Sequence, residues 1–487
     1  MYESGNFEVN EQRLLKPFNV ENKIKPALNC NDYTKAKAYQ RRQVMKKALF
    51  LILYLLSPLL PIAAIYLSNP GYFGAAGLVP MLFGAISFTW LNAQLIISAR
   101  PKLIESVFGL DRIYRFHSLV PVIALSSVLV HKLIKEKVFG ESFKTQLGDA
   151  AFIIFIICSV LGVVFLSEML VQKSKYLMLL RKLAIKFSIG KYNIQRILHN
   201  LTVAAVILVF IHVMLSNSAR NVFVKAIFIA YFTVAMGFYL YHKIIMRYFL
   251  CKKFVVESVT EESLSMQTIT LKPVNGEVFR YRPGQFGFIR IYSEGVSGEE
   301  HPFSITSEPS NKETLTMTIK SLGDWTLNVS KIKSGSKALL TGPFGKLSPL
   351  LYPSDQEVVL IAGGVGITPM ISILRYFENN EKDRKVILFW GVKDQRELIW
   401  KDEFVQFGRD MKNFTLIPVM SGEDNYMGEK GYINTELLER VMKSNKFTFD
   451  TAQYYICGPG VMQTKIIKGL KVKGIRSKNI HYESFSL

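Results

Sequence analysis

Apolar residues fall in six long runs in the first half of the chain, at about 47–67, 78–98, 113–133, 148–170, 197–215 and 221–244. Each is long enough to cross a hydrocarbon layer about 30 Å thick as a helix, which takes about 20 residues. After Lys252 the pattern changes. In TLTMTIK, Leu315, Met317 and Ile319 alternate with polar residues, the period of a half-buried strand, and short strands with turns continue to about residue 348. From about residue 356 it changes again: VVLIAG, a glycine loop, the helix-like TPMISILRYF and then VILFWG. Strand, loop, helix, strand is the order of a parallel α/β domain. The polar stretch 1–46 opens with no short apolar run and cleavage site, so no removable signal peptide is expected.

Charge orients the six runs. The chain of 487 residues carries 60 Lys and Arg against 38 Asp and Glu, a net charge of +22. The arm before the first run is basic, and so is the link between the second and third, with Arg100, Lys102, Arg112 and Arg115. The link between the fourth and fifth holds Lys173, Lys175, Arg181, Lys182, Lys186, Lys191 and Arg196 without an acid. The link SNPGYFGAAG between the first two is uncharged. The positive-inside rule then puts both termini in the cytoplasm of a multi-pass protein of the cell membrane. Residues 132–149 resist the pattern, carrying Lys132, Lys135, Lys137 and Lys144 on what must be the outer side. Basic charge without a folded nucleic-acid module argues for lipid, not nucleic acid, as its partner. The cysteines Cys30, Cys158, Cys251 and Cys457 lack the spacing of a zinc site or a disulfide framework.

Two of the runs carry histidines at nearly matched spacing: His117 and His131, His199 and His212. Ionisable groups inside a membrane are costly, and imidazole is a strong ligand for haem iron. Residues fourteen apart on a helix lie within roughly 40° of one face and about 21 Å apart. Both runs go outward in this topology, so His117 and His199 share the inner depth while His131 and His212 share the outer. Two haems, one above the other, would fit between the helices. The thirteen-residue spacing of the second pair leaves its rings about 140° apart on an ideal helix, which a bend or a π-bulge would re-aim.

In IAGGVGITPM a strand runs into Gly363, Gly364 and Gly366, and a helix follows with Pro369 near its first turn. Such a loop lets a pyrophosphate approach the backbone at a helix N-terminus. RPGQF (Arg282, Pro283, Gln285, Phe286), HPFSITS, IKSLGDWT, GPFG, CGPGVM and ESF stand around it in order. The ordered set resembles the ferredoxin-reductase-type flavoprotein family and, from about residue 47 onward, its membrane branch of ferric reductases and NADPH oxidases. The resemblance implies a multi-domain α plus α/β protein. A basic cytosolic arm (1–46) would precede a six-helix transmembrane haem domain (47–246). An FAD-binding β-barrel (249–348) and a parallel α/β NAD(P)H-binding domain (355–487) would follow.

The same resemblance assigns residues. His301, Pro302, Phe303 and Ser304, with Thr306 and Ser307 following, would hold the isoalloxazine and ribityl of FAD. Lys320, Gly323, Trp325 and Thr326 would lie along its diphosphate. Gly363, Gly364, Gly366, Thr368 and Pro369 would cradle the nucleotide phosphates. Cys457, Gly458 and Pro459 would border the nicotinamide, and Phe485 would cover the flavin. The plainer alternative is that Phe303 and Trp325 are ordinary barrel core and that Phe485 caps the core. After the second α/β strand, Lys393 and Arg396 would pair a 2′-phosphate that Asp394 opposes, favouring NADPH modestly over NADH. The four histidines would hold two haems b. The implied activity is transfer of electrons from NADPH through FAD and haem to oxygen outside, giving superoxide, with ferric-chelate reduction as the alternative. Feeding electrons to another membrane protein is more remote, and nothing in the sequence requires a protein partner. Two departures put the acceptor in question. Span one lacks the arginine that NADPH oxidases carry near the outer haem, and Lys135 stands where they have a second histidine. No calcium-binding loop precedes the membrane part.

Overall fold

The computed structural model describes residues 30–68, 74–139, 142–166, 174–186, 192–352 and 354–484. Its first half is helical: α1 (Cys30–Leu56), α2 (Leu59–Ser68), α3 (Gly74–Ser98), α4 (Lys102–Phe108), α5 (Leu110–Phe139), α6 (Phe143–Leu166), α7 (Lys175–Lys186), α8 (Tyr192–Leu215) and α9 (Val222–Leu240), the last continued by a π-helical turn at Tyr241–Phe249. Six stretches are long and apolar enough to cross a membrane. Their outward faces leave Leu53, Leu119, Ile157 and Ile211 exposed, whereas Ala124, Ala151, Ala205 and Ala235 are fully buried between helices. Small residues at the contacts let helix backbones approach closely without help from water.

Several expected boundaries move. α1 begins at Cys30, so the arm ending at 46 is not a structural break; its Lys, Ala, Gln and Arg are good helix formers and run straight into span one. That span breaks instead at Ser57–Pro58, where proline cannot continue the helical bonding. The carbonyls near the break are taken up by neighbours: Trp90 Nε1 donates to Tyr54 O at 3.3 Å and Tyr231 Oη to Ser57 O at 2.6 Å. Inside a bilayer such replacement is obligatory. The lysines of 132–149 stand on helices. α5 carries Lys132, Lys135 and Lys137, and Lys144 sits in the first turn of α6. The link before span five contains α7, whose exposed Tyr176, Leu179 and Leu183 among lysines suit a helix lying in the membrane interface.

A six-stranded antiparallel sheet follows, in the order β4-β3-β6-β1-β2-β5. Its strands are β1 (Lys252–Ser263), β2 (Met266–Pro273), β3 (Phe286–Tyr292), β4 (His301–Ser304), β5 (Leu315–Lys320) and β6 (Lys337–Phe344). It curls until its edges meet at the Ile305–Met317 bridge. Leu315, Met317 and Ile319 all face its core, as their alternation requires. The last unit is a parallel sheet in the order β10-β9-β8-β7-β11-β12, with β7 (Val358–Gly363), β8 (Val386–Val392), β9 (Phe414–Met420), β10 (Glu429–Lys430), β11 (Gln453–Cys457) and β12 (Ile480–Tyr482). The chain builds outward from β7 through β8 and β9 on one side and returns through β11 on the other. β7 and β11 therefore flank the point where strand order reverses, the place where such sheets bind ligands.

Candidate functional site: two histidine pairs and a flavin–nucleotide crevice

The histidines meet in pairs across α5 and α8. The ring centres of His117 and His199 are 6.0 Å apart, and those of His131 and His212 are 6.3 Å apart. A metal bound between two imidazoles, at about 2.1 Å from each nitrogen and about 1.1 Å more to each ring centre, spaces the centres by about 6.4 Å. Each pair thus fits one bis-histidine iron. The re-aiming does not come from a π-bulge in span five, since α8 is regular α-helix throughout. α5 is likewise continuous, with Pro121 standing between His117 and His131.

The pair of His131 and His212 is supported from behind by a device repeated on two helices. His131 Nδ1 donates to Pro80 O at 2.6 Å, and His212 Nδ1 donates to Lys144 O at 2.6 Å. A carbonyl only accepts, so both rings carry the proton on Nδ1 and keep the Nε2 lone pair for a metal. One helical turn beyond each carbonyl stands a glycine. A Cβ on Gly84 would lie 3.0 Å from His131 Nδ1, and one on Gly148 would lie 3.2 Å from His212 Nδ1. Glycine four residues on opens the carbonyl to an imidazole that any side chain would hold off. A cavity of about 580 Å³ lies between the pair, lined by both histidines, both glycines, Phe88 and Phe155, within the range that encloses a cofactor. None of Gly84, Gly148, Pro80 or Lys144 stands out in the sequence as part of this site.

The curled sheet docks on the ends of these helices nearer His117 and His199. Phe286, Phe288 and Phe344 pack with Tyr54, Ile97, Leu110 and Ile113. Each phenyl ring buried this way stabilises the contact by about 1.5–3 kcal/mol. Polar pairs fix the register: Gly345 N donates to Glu105 Oε1 at 3.1 Å, Lys346 Nζ to Val107 O at 2.7 Å, and Glu300 bridges Arg100 and Arg290. Burial and the neighbouring carboxyls of Asp111 and Glu105 push the Glu483 carboxyl well above the usual range.

The flavin motif lies beside this junction. His301, Phe303 and Trp325 form a cluster, with His301 and Trp325 ring centres 4.5 Å apart and Phe303 and Trp325 5.7 Å apart. Trp325 is buried in the sheet core and donates from Nε1 to Ser297 O at 2.8 Å. His301, Pro302 and Phe303 stay half-buried on β4, and Arg282 projects exposed from a turn in which Pro283 and Gln285 are buried. Ser304 is buried next to Phe286, its partner across the strands. Thr306 and Ser307 turn their hydroxyls to Thr316 and Tyr281. Their carbonyls receive Arg375 and Ser372 of the second unit, which makes this segment a hinge-pin between units. Lys320 pairs with Glu397 at 2.9 Å, and Thr326 Oγ1 accepts from the Gly323 amide at 2.8 Å.

At the strand-order reversal, β7 ends at Gly363, the turn Gly364–Gly366 follows, and α10 (Ile367–Asn380) starts with Thr368 and Pro369 in its first turn. Gly364 adopts φ +53°. A Cβ on Gly366 would fall 2.2 Å from Cys457 O, so the glycine turn and the Cys457–Gly458–Pro459 turn touch and together floor the crevice. The Cys457 thiol is buried, and burial raises it far above its ordinary range, so it stays protonated. Phe485 lies outside the described residues. After β8, Arg396 folds back on Asp394 through Nε and Nη2, at 3.0 and 2.8 Å, and those hydrogen bonds hold the Asp394 carboxyl down to about 2. Lys393 is exposed beside Gly422. Asp394→Asn releases Arg396 and is expected to raise the NADPH-to-NADH ratio of kcat/KM about two- to fivefold, the usual scale of an exposed ion pair. An unchanged ratio would mean that this pair does not face the 2′-phosphate.

The comparisons with known proteins fall on this half. Residues 249–388 match the FAD-binding domain family and residues 360–468 the oxidoreductase NAD-binding domain family. One component of the Na(+)-translocating NADH-quinone reductase of Klebsiella pneumoniae is 29% identical over 216 residues, 41% of this chain and 52% of that protein. The same component of the Serratia proteamaculans enzyme is 34% identical over 158 residues, 32% of this chain and 38% of that protein. The chain thus spans about half or less of the length of these relatives. Among solved structures, the flavohem-like FAD/NAD binding domain of nitric oxide dioxygenase from Vibrio cholerae aligns with a TM-score of 0.43 at 23% identity, over 48% of this chain and 98% of that one. Behind six helices long and apolar enough to cross a membrane, the chain thus carries an FAD-binding domain and an oxidoreductase NAD-binding domain.

Proposed function

We propose that the chain is a membrane flavocytochrome of the cell membrane, with both termini in the cytoplasm, that carries electrons from NADPH to oxygen on the outer face and releases superoxide. The observation that carries this reading is the pair of facing imidazoles at two depths, 6.0 and 6.3 Å between ring centres. When bound, FAD turns a hydride from the nucleotide into single electrons, and two haems b relay them across the bilayer. The protein's part is placement. The glycine turns at Gly366 and Cys457 admit the nucleotide phosphates, with Gly363 and Pro459 beside them. His301 and Phe303 hold the isoalloxazine, and Arg282 reaches its phosphates. Glu105, Lys346 and the phenylalanine cluster hold the flavin unit against the inner pair, His117 and His199. His131 and His212 complete the path. Because both imidazoles of each pair would be committed to holding one haem, an acceptor would be met at the edge of the His131–His212 site. The lysines of the outer rim favour a second reading, reduction of an anionic ferric chelate. The relatives, which are components of a larger quinone reductase, favour a third, delivery of electrons to a partner protein.

Aerobic NADPH turnover of the purified chain in lipid nanodiscs, followed with a superoxide-sensitive dye, separates these. Dye reduction abolished by superoxide dismutase supports the oxidase. Ferric citrate reduction without that signal replaces it with the reductase. A chain that shows a haem spectrum yet reduces neither acceptor points to a partner, and one without a haem Soret band removes the flavocytochrome reading.

A further inference from the structure

We propose that Lys135 and Lys144 form a carboxylate-binding clamp at the outer mouth of the cavity between His131 and His212. Both lysines line that cavity, at the end where Ser142, Thr145, Ser216 and Ser218 replace its apolar walls. Lys135 stands one helical turn after His131, which puts it on the same face of α5, nearer the outer end. The other charges facing the mouth gather on Lys132, whose one ammonium meets two carboxylates and leaves one negative charge in excess. Lys132 pairs with Asp149 at 2.8 Å and with Glu136 at 3.4 Å, and it takes both of the acidic groups there. Among the described residues, no carboxylate lies within ion-pairing distance of Lys135 or Lys144, although Lys135 is half-buried. A partly desolvated ammonium without a counter-charge is costly, and an anionic ligand offsets that cost. The ammonium is a compact point charge with three donors, so it suits a carboxylate and imposes no planar geometry on it.

The clamp rests on the proposed function, because that reading supplies the two sources of such carboxylates. One is the propionate pair of a haem seated between His131 and His212. The other is a carboxylate chelate of ferric iron approaching as acceptor. The two make different demands on the same lysines. A propionate held here has its charge neutralised permanently, which raises the reduction potential of the site. A chelate leaves the potential alone and uses the lysines only during encounter, where a positive mouth raises local anion concentration.

The test compares wild type, Lys135→Gln, Lys144→Gln, the double variant and Lys135→Arg in nanodiscs. Redox titration of the haem absorbance reads the first source. The double variant should shift the outer site's reduced-to-oxidised ratio at fixed potential about tenfold toward oxidised, 59 mV for one electron, while Lys135→Arg keeps the wild-type value. Steady-state reduction of ferric citrate and of an uncharged acceptor reads the second. There the double variant should raise KM for ferric citrate about tenfold and leave the uncharged acceptor unchanged, with the potential unmoved. A double variant matching wild type in potential and in both KM values overturns the clamp. A wild-type chain without haem overturns the proposed function and the propionate source together. Equilibrium dialysis of labelled citrate then decides the rest: binding lost in the double variant keeps the clamp, and equal binding ends it.

Discussion

His212→Leu is expected to halve the haem bound per chain and to abolish electron delivery to any outer acceptor, while NADPH still reduces the flavin. Leucine fills a similar volume in the bundle but offers no ligand, so the variant should remain folded. His131→Leu should behave the same way, because each outer imidazole has one partner across 6.3 Å. The flavin unit is untouched by either change. Its contacts with the membrane helices run through Glu105, Val107 and the phenylalanine cluster at the opposite end of α5. Haem per chain, the absorbance spectrum and anaerobic flavin bleaching by NADPH are the measurements. The glycines behind the rings sharpen the test. Gly148→Val leaves His212 in the sequence but drives bulk into a ring already 3.2 Å from where a Cβ would stand, so it too should empty the outer site. Gly162→Val, at a glycine with nothing within 4 Å of its Cβ position, is the matched control. If His212→Leu keeps wild-type haem, the pair is packing and not ligation.

The contrast between histidines and glycines also shows where the sequence stops speaking. Long apolar runs and alternating strands are local patterns, and all six candidate spans, the antiparallel sheet and the parallel sheet can be read from them. The histidine pairs are legible too, because topology alone sets which depth each reaches. Gly84 and Gly148 are not. Their role depends on which helix stands behind which, and α3 behind α5 or α6 behind α8 has no local signature. Glu105 and Gly345 meet across 240 positions, a relation no spacing encodes. The outer lysines mislead for a different reason. Charge suggests a loop, yet lysine is a good helix former, and the helices simply extend past the apolar stretch. The place of Arg396 after β8 suggests a phosphate partner, whereas Asp394 two residues away already engages its Nε and Nη2.

Gly366→Ala should remove NADPH-driven electron entry while leaving both haem sites intact. The added methyl would lie 2.2 Å from the Cys457 carbonyl oxygen, which is backbone and cannot swing aside as a side chain would. Either the glycine turn or the Cys457 turn must shift, and these two turns form the floor of the crevice at the strand-order reversal. A misplacement of about 1 Å there costs on the order of a hundredfold in a transfer that needs donor and acceptor in contact. Gly364→Ala is the informative companion. That residue sits at φ +53° with open space around its Cβ position, so alanine meets only the left-handed backbone penalty of roughly 1–2 kcal/mol. Its turnover should fall far less than that of Gly366→Ala. Stopped-flow flavin reduction by NADPH measures the loss, and dithionite reduction of the haems shows that the membrane half survives. Equal, small effects from both alanines would mean that nucleotide does not bind across these two turns, and the assignment of the crevice would have to be abandoned.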